Sequence, residues 1–311
     1  FDFIFLLFPK KRFIVMLSVL IPIYNYDCRR LINSLSAQAE NLDVEYEILA
    51  FDDGSSLFLE ENREVKNLPH VVYRELGKNI GRSAIRNLLA DEAHYPYLVF
   101  MDCDMQVVSD SYLKNYLDQI GNAQVMCGGH IYCRKEDLSR DRFLHWAYGM
   151  KRESKIKGNK RAFLSGNFFI EKNIFEKVRF DGKIWNYGHE DTLFGIELMK
   201  NNIAVLYVDN PLLHQGLNTN KEFLEKTKNS LKNLFLIYMN LLSEKDAQNI
   251  RLIATYEKLK KIRMTGVVRV LGSALKPIIE RNLNSRHPSM FLFDFYKLAY
   301  FCSVLHSERK V

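Results

Sequence analysis

Residues 97–105 read YLVFMDCDM, an apolar run closed by two aspartates with one residue between them. A short apolar run bounded by polar residues is the mark of a strand buried on both faces. Two further stretches carry acidic clusters beside apolar runs. EILAFDDGSS (47–56) closes on Asp52 and Asp53, and WNYGHEDTLFGIEL (185–198) places Glu190 and Asp191 just ahead of one. Carboxylates at the carboxyl ends of neighbouring parallel strands converge on one crevice, the usual ligand site of open α/β sheets. Several carboxylates in one crevice point to a metal ion and a polyanion.

Outward from these stretches, short apolar runs alternate with amphipathic segments, the pattern of a mostly parallel sheet with crossover helices. Strands are expected at 17–24, 44–51, 70–76, 95–102, 123–133, 161–170 and 203–209, and helices at 28–38, 83–93, 111–120 and 191–201. Beyond about residue 220 the apolar spacing is helical throughout. The expected organisation is an N-terminal extension (1–16), a catalytic domain (17–220) and a helical C-terminal subdomain (221–311). Met16 directly precedes LSVLIPIYN, so residues 1–15 read either as upstream translation or a fragment edge, or as a strand or anchor.

With 311 residues, 47% apolar and 26% charged, the chain is an ordinary folded protein rather than a disordered one. A net charge of +7, spread along the chain, fits an anionic substrate or an anionic membrane surface and does not argue for nucleic acid. Five cysteines without metal-finger spacing favour a reducing compartment, and no secretion signal precedes them. The expected location is therefore the cytoplasm. The basic and aromatic stretch from Arg269 onward adds a peripheral membrane contact as an expectation, against the plainer reading that it packs on the catalytic domain.

Asp102 and Asp104 point the same way if the chain is extended, and a hard divalent cation such as Mn²⁺ or Mg²⁺ takes oxygen ligands. D-x-D also ends strands and caps helices, so position after YLVFM is what gives it weight. Asp52 and Asp53 can accept from a nucleobase or ribose, with Gly54 allowing a sharp turn; a turn with an N-cap is the plainer reading. Arg82 and Arg86, four residues apart at a helix start, share one face and suit a phosphate, or else an exposed ion-paired face. Glu190 and Asp191 are first-turn acids, either of which could serve as a general base. His214, in NPLLHQG, is a structural histidine or a third metal ligand.

In order along the chain, LSVLIPIYN, FDDGS, NIGRSAIRN, FMDCD, LSGN and GHED resemble the family-2 glycosyltransferases of the GT-A fold, over about residues 17–214. The resemblance implies an inverting, metal-dependent enzyme that takes a nucleoside-diphosphate sugar, UDP-linked first, and transfers it to a hydroxyl of a saccharide or lipid-linked saccharide. It implies donor contacts at Pro22, Tyr24, Asn25, Asp52, Asp53, Arg82, Arg86, Asp102, Cys103 and Asp104. Ser165, Gly166, Asn167, Trp185 and Gly188 fall to the sugar and acceptor, the metal to Asp102, Asp104 and His214. Asp191, ahead of Glu190, is the implied base. Trp185, Gly188 and His214 look like the W-G-x-E-D…H arrangement of chondroitin-polymerase-like and galactosyltransferase-like enzymes, with His189 a departure of open role. The segment 151–161 reads as a loop closing over the site, or as solvated surface. A sugar nucleotidyltransferase is the alternative, but PIYNYD is not its Gly-rich triphosphate loop; a non-catalytic nucleotide-sugar module is the third reading. No G-x-G-x-x-G, phosphate loop or G-x-S-x-G elbow is present.

Overall fold

The structure is a computed structural model in which residues 15–154, 163–184 and 188–308 are described. Its strands are β1 (Val15–Ile23), β2 (Val44–Asp52), β3 (Val71–Glu75), β4 (Tyr97–Met101), β5 (Met105–Val107), β6 (Val125–Cys127), β7 (His130–Ile131), β8 (Asn167–Glu171), β9 (Val205–Tyr207) and β10 (Leu212–His214). The helices of the sheet region are α1 (Arg29–Glu40), α2 (Leu59–Arg63), α3 (Arg82–Glu92), α4 (Tyr112–Leu117), α5 (Phe143–Tyr148), α6 (Lys172–Val178) and α7 (Glu190–Lys200). After β10 the described residues form only helices: α8 (Asn220–Asn240), α9 (Glu244–Ala247), α10 (Arg251–Lys261), α11 (Thr265–Leu283) and α12 (Met290–Glu308).

Seven strands form one sheet in the order β3-β2-β1-β4-β8-β6-β9. Only β8 runs antiparallel to its neighbours, so the sheet is mostly parallel, as expected. Alternation along a strand sends successive side chains to opposite faces. Thus Leu17, Val19 and Ile21 of β1 pack with Leu31 and Leu35 of α1, whereas Leu20 joins Phe100, Leu89 and Phe175 on the other face. Each such buried side chain contributes about 1.5–3 kcal/mol of transfer free energy. On that second face Phe100 stacks on Phe168, centroids 4.7 Å apart, and Phe175, Phe180 and Phe194 continue the aromatic layer beneath the site.

The run 123–133 is not one strand. It breaks at Gly128 and Gly129 into β6, in the large sheet, and β7, in a separate sheet of order β5-β10-β7. A side chain at Gly128 would meet the Asn210 carbonyl at 2.4 Å, so the chain crosses between sheets where another segment presses on its backbone. The strands expected at 161–170 and 203–209 shorten to β8 and β9, since Ser165–Gly166 turn and residues 203–204 lie outside the ladder. Residues 1–14, most of the expected loop at 151–161, and Trp185 lie outside the described residues. Among those described, no helix is long and apolar enough to cross a membrane.

Candidate functional site

Asp52 ends β2 and Asp53 follows it, both buried. The Asp52 carboxylate accepts from the Ser55 N–H at 2.7 Å, while that of Asp53 accepts from the Ile80 and Gly81 N–H groups at 2.7 and 3.1 Å. Burial raises the pKa of Asp53, and these two N–H groups oppose that rise. Gly54 takes φ +71°, and a side chain there would press on the Lys78–Asn79 backbone at 2.6 Å, so the turn and the 77–81 loop are locked together. Asn25, at φ 50°, accepts from the Ser56 and Leu57 N–H groups through its side chain. Tyr24 stands exposed beside it, and Pro22 pairs with Phe51 within the ladder. The first three loops at the carboxyl edge of the sheet are therefore one connected wall.

Arg82 and Arg86 share a face of α3, as their spacing predicts, and both turn to Asp102 at the end of β4. Arg86 is fully buried, its guanidinium 5.5 Å from the Phe180 ring. Arg82 reaches Asp102 at 2.9 Å and Glu190 at 3.1 Å, and so joins the two acidic corners. Burial disfavours the charged form of Asp102, but Arg86 and Arg82 outweigh it and hold the pKa at about 2. Asp104 is held below the usual range in the same manner, burial being overcome by His214, whose Nε2 lies 3.2 Å from its Oδ2. Cys103 sits between them with its thiol pushed up by burial.

The small sheet is what brings Asp104 and His214 together. β10 pairs with β5 so that His214 faces Met105, and the Gln215 N–H donates to the Asp104 carbonyl at 2.9 Å. A side chain at Gly216 would sit 2.0 Å from Asp104 Oδ2; only glycine leaves the carboxylate its place. Asp104 and His214 thus form a contact pair of oxygen and nitrogen donors, whereas Asp102 is committed to arginines. Among the described residues, no three His, Cys, Asp or Glu side chains group as a metal site. The expected three-ligand set is accordingly not assembled as such.

The second acidic corner opens α7. Gly188 and His189 both take left-handed backbone, φ +97° and 71°. α8 holds them there: Asn233 donates to the Gly188 carbonyl at 2.6 Å, and Ser230 lies against the Gly188 backbone. Glu190 is buried on Arg82, and its Oε2 has no hydrogen-bond partner among the described residues. Asp191 is half-buried and accepts from the Thr192 N–H at 2.6 Å. Burial, reinforced by the neighbouring Glu190 charge, raises its pKa to about 7. Burial lowers His189 to about 4, so that ring is neutral at pH 7.

Gly166, which follows the buried Ser165, borders Asp102, the Asp102 N–H donating to the Gly166 carbonyl at 3.2 Å. Asn167 does not fit the sugar contact expected of it. Fully buried, it accepts from the Tyr112 and Tyr116 hydroxyls and donates to the Gly129 and Asn210 carbonyls, which uses its whole capacity. Two histidines absent from the sequence reading, His130 and His145, lie beside the site with His214. His130, His145 and His214 are neighbours, ring centroids 6.1 and 5.4 Å from His214, and Tyr132 contacts both His214 and Glu153. Among the described residues His130 Nε2 is buried without a hydrogen-bond partner, next to Asp102 across Gly166.

The family model described as "Glycosyl transferase family 2" matches residues 18–179, just over half the chain. Over 234 residues the chain is 25% identical to the chondroitin synthase of Escherichia coli; the match covers 62% of this chain and about a third (34%) of that relative's length. Among solved structures, S. aureus TarS 1–349 in complex with UDP is similar with TM-score 0.50 at 16% identity, covering 95% of this chain and 92% of that one. The mannosyltransferase PcManGT of Pyrobaculum calidifontis, in complex with GDP-Man and Mn²⁺, gives TM-score 0.57 at 11% identity, covering 94% and 86%. These likenesses bear on the fold, which is that of the GT-A glycosyltransferases. With its mostly parallel sheet and carboxyl-edge acidic crevice, the chain belongs to glycosyl transferase family 2 and is a glycosyltransferase.

Proposed function

We propose that this enzyme transfers a sugar from a nucleoside-diphosphate donor, UDP-linked first, to a hydroxyl of a saccharide or lipid-linked saccharide acceptor, with inversion, in surface polysaccharide synthesis. The observation that carries the reading is Arg82, which contacts Asp102 at one corner and Glu190 at the other. One side chain thereby ties a diphosphate-binding edge to a proton-accepting one. In this reading the wall built by Pro22, Tyr24, Asn25, Asp52 and Asp53 holds the nucleoside. Arg82 faces the diphosphate, and Arg86 keeps Asp102 ionised beneath it.

Asp104 and His214 fit a divalent cation: a carboxylate oxygen and an imidazole nitrogen in contact are suitable donors for Mn²⁺ and, through oxygen, for Mg²⁺. An ion held by Asp104 and His214 would supply positive charge beside the diphosphate leaving group. Asp191 takes the proton from the acceptor hydroxyl. The acceptor oxygen then bonds to the anomeric carbon from the far face, the bond from that carbon to the diphosphate oxygen breaks, and the nucleoside diphosphate leaves. Asp191 suits this better than Glu190: Glu190 is paired with Arg82, whereas burial and the Glu190 charge make Asp191 basic near neutral pH. The second nucleotide to consider is GDP, since one structural relative holds GDP-Man. Release of UDP from UDP-sugars, measured for the wild type and for Asp191→Asn, tests the proposal. Turnover in the wild type and loss in the variant support it; no release with UDP-, GDP- or dTDP-sugars refutes the donor assignment.

A further inference from the structure

Helix α11 is held by one face only. Gly272 lies directly against Ala299 of α12, and Ile279 and Leu283 are buried with Met290 and Phe293. The adjoining face carries Val267, Val270, Leu271, Leu275 and Ile278, all exposed, Val270 by 58% and Ile278 by 66%. Spacings of three and four residues place these five on one side of the helix. Ile262 and Met264, just before it, are exposed as well. Such a contiguous exposed apolar face marks a contact with something else.

Charge decides what that is. Exposed Lys258, Lys261 and Arg263 precede the helix, beside a Lys260 that pairs with Glu257 at 3.2 Å, and exposed Arg281 and Arg286 lie at its far end. The single acidic side chain in α11, Glu280, accepts from the Tyr296 hydroxyl of α12 at 3.3 Å. A second copy of the chain paired through this face, parallel or antiparallel, would set one basic end against another. Like charges brought together in that way repel. An anionic bilayer answers both features: the apolar ridge enters the headgroup–acyl boundary while lysines and arginines at either end meet lipid phosphates.

We propose that α11 docks this protein on the surface of an anionic lipid bilayer. The docked face belongs to the helical layer that positions the acidic corner, because α11 packs on α12 and α12 on α8. Docking does not depend on which donor the enzyme takes.

The test is sedimentation of the protein with vesicles of phosphatidylcholine alone and of phosphatidylcholine with phosphatidylglycerol. The wild type is compared with Val270→Glu/Leu271→Glu and with Lys261→Glu/Arg263→Glu, and thermal melts check that each variant is folded. The expected result is binding to the anionic vesicles at least about tenfold stronger than to the neutral ones, weakened by salt and by the charge-reversal pair, and abolished by the apolar-to-glutamate pair. Absence of binding to anionic vesicles, or binding that both variants leave intact, overturns the proposal. So does a lipid-independent dimer lost in Val270→Glu/Leu271→Glu, which would give the face to a second copy.

Discussion

At the Asp102–Asp104 corner the carboxylates are wrapped by Arg82, Arg86 and His214, whereas at the Glu190–Asp191 corner Asp191 stands beside another carboxylate. The same residue type is held at about 2 in the first place and raised to about 7 in the second. Both are desolvated, so burial does not separate them; the sign of the nearest charge does. A carboxylate kept ionised by neighbouring cations suits the binding of a cation. One that costs free energy to ionise suits proton transfer.

The largest effect is expected from Asp191→Asn. A proton acceptor removed without change of shape should lower kcat by roughly 10²–10⁴-fold while UDP binding stays near that of the wild type. The same change should raise stability at neutral and higher pH. A folded-state pKa above the unfolded value means that ionising Asp191 costs stability progressively as pH rises toward about 7, and asparagine removes that cost. A denaturation midpoint at pH 8 that falls would contradict the assignment of a destabilised carboxylate.

At the opposite corner Arg86→Met should cost about 3 kcal/mol of folding stability, because it strips a buried cation from a buried carboxylate. Arg82→Met, with its side chain 41% exposed, should cost under ~1 kcal/mol yet weaken donor binding. Equal losses of stability from the two would erase the distinction drawn between scaffold and ligand contact. A third consequence is in the pH profile. Asp191 accepts a proton only when ionised, so kcat/KM should fall about tenfold per pH unit below about 7; a flat profile between about pH 5 and 7 would remove it as the base. The smallest expected effect is that of Gly216→Ala. Its methyl would displace the Asp104 carboxylate from His214, and metal-dependent UDP binding should weaken by about tenfold with little loss of fold, as titration calorimetry would show.

The large sheet was legible because β1, β2 and β4 are buried on both faces and so appear as unbroken apolar runs. Arg82 and Arg86 were legible as a pair from helical spacing alone, though not their shared partner. What escaped depends on distant segments. β5 and β10 are three residues each and exist because they pair with one another, so the Asp104–His214 pairing came from the family resemblance alone, and His130 and His145 beside it carry no local pattern. Asn167 shows the reverse failure: a residue that looks like a ligand contact in sequence is fully spent on tyrosine hydroxyls and carbonyls brought in by the α4 and 210 segments.

The division of labour between the corners is tested most directly by calorimetric titration with UDP, with and without Mn²⁺, on the wild type, Asp104→Ala and Asp191→Asn side by side. The account predicts that Asp104→Ala loses the Mn²⁺-dependent binding and Asp191→Asn keeps it. Retention by Asp104→Ala together with loss by Asp191→Asn would reverse the roles given to the two corners.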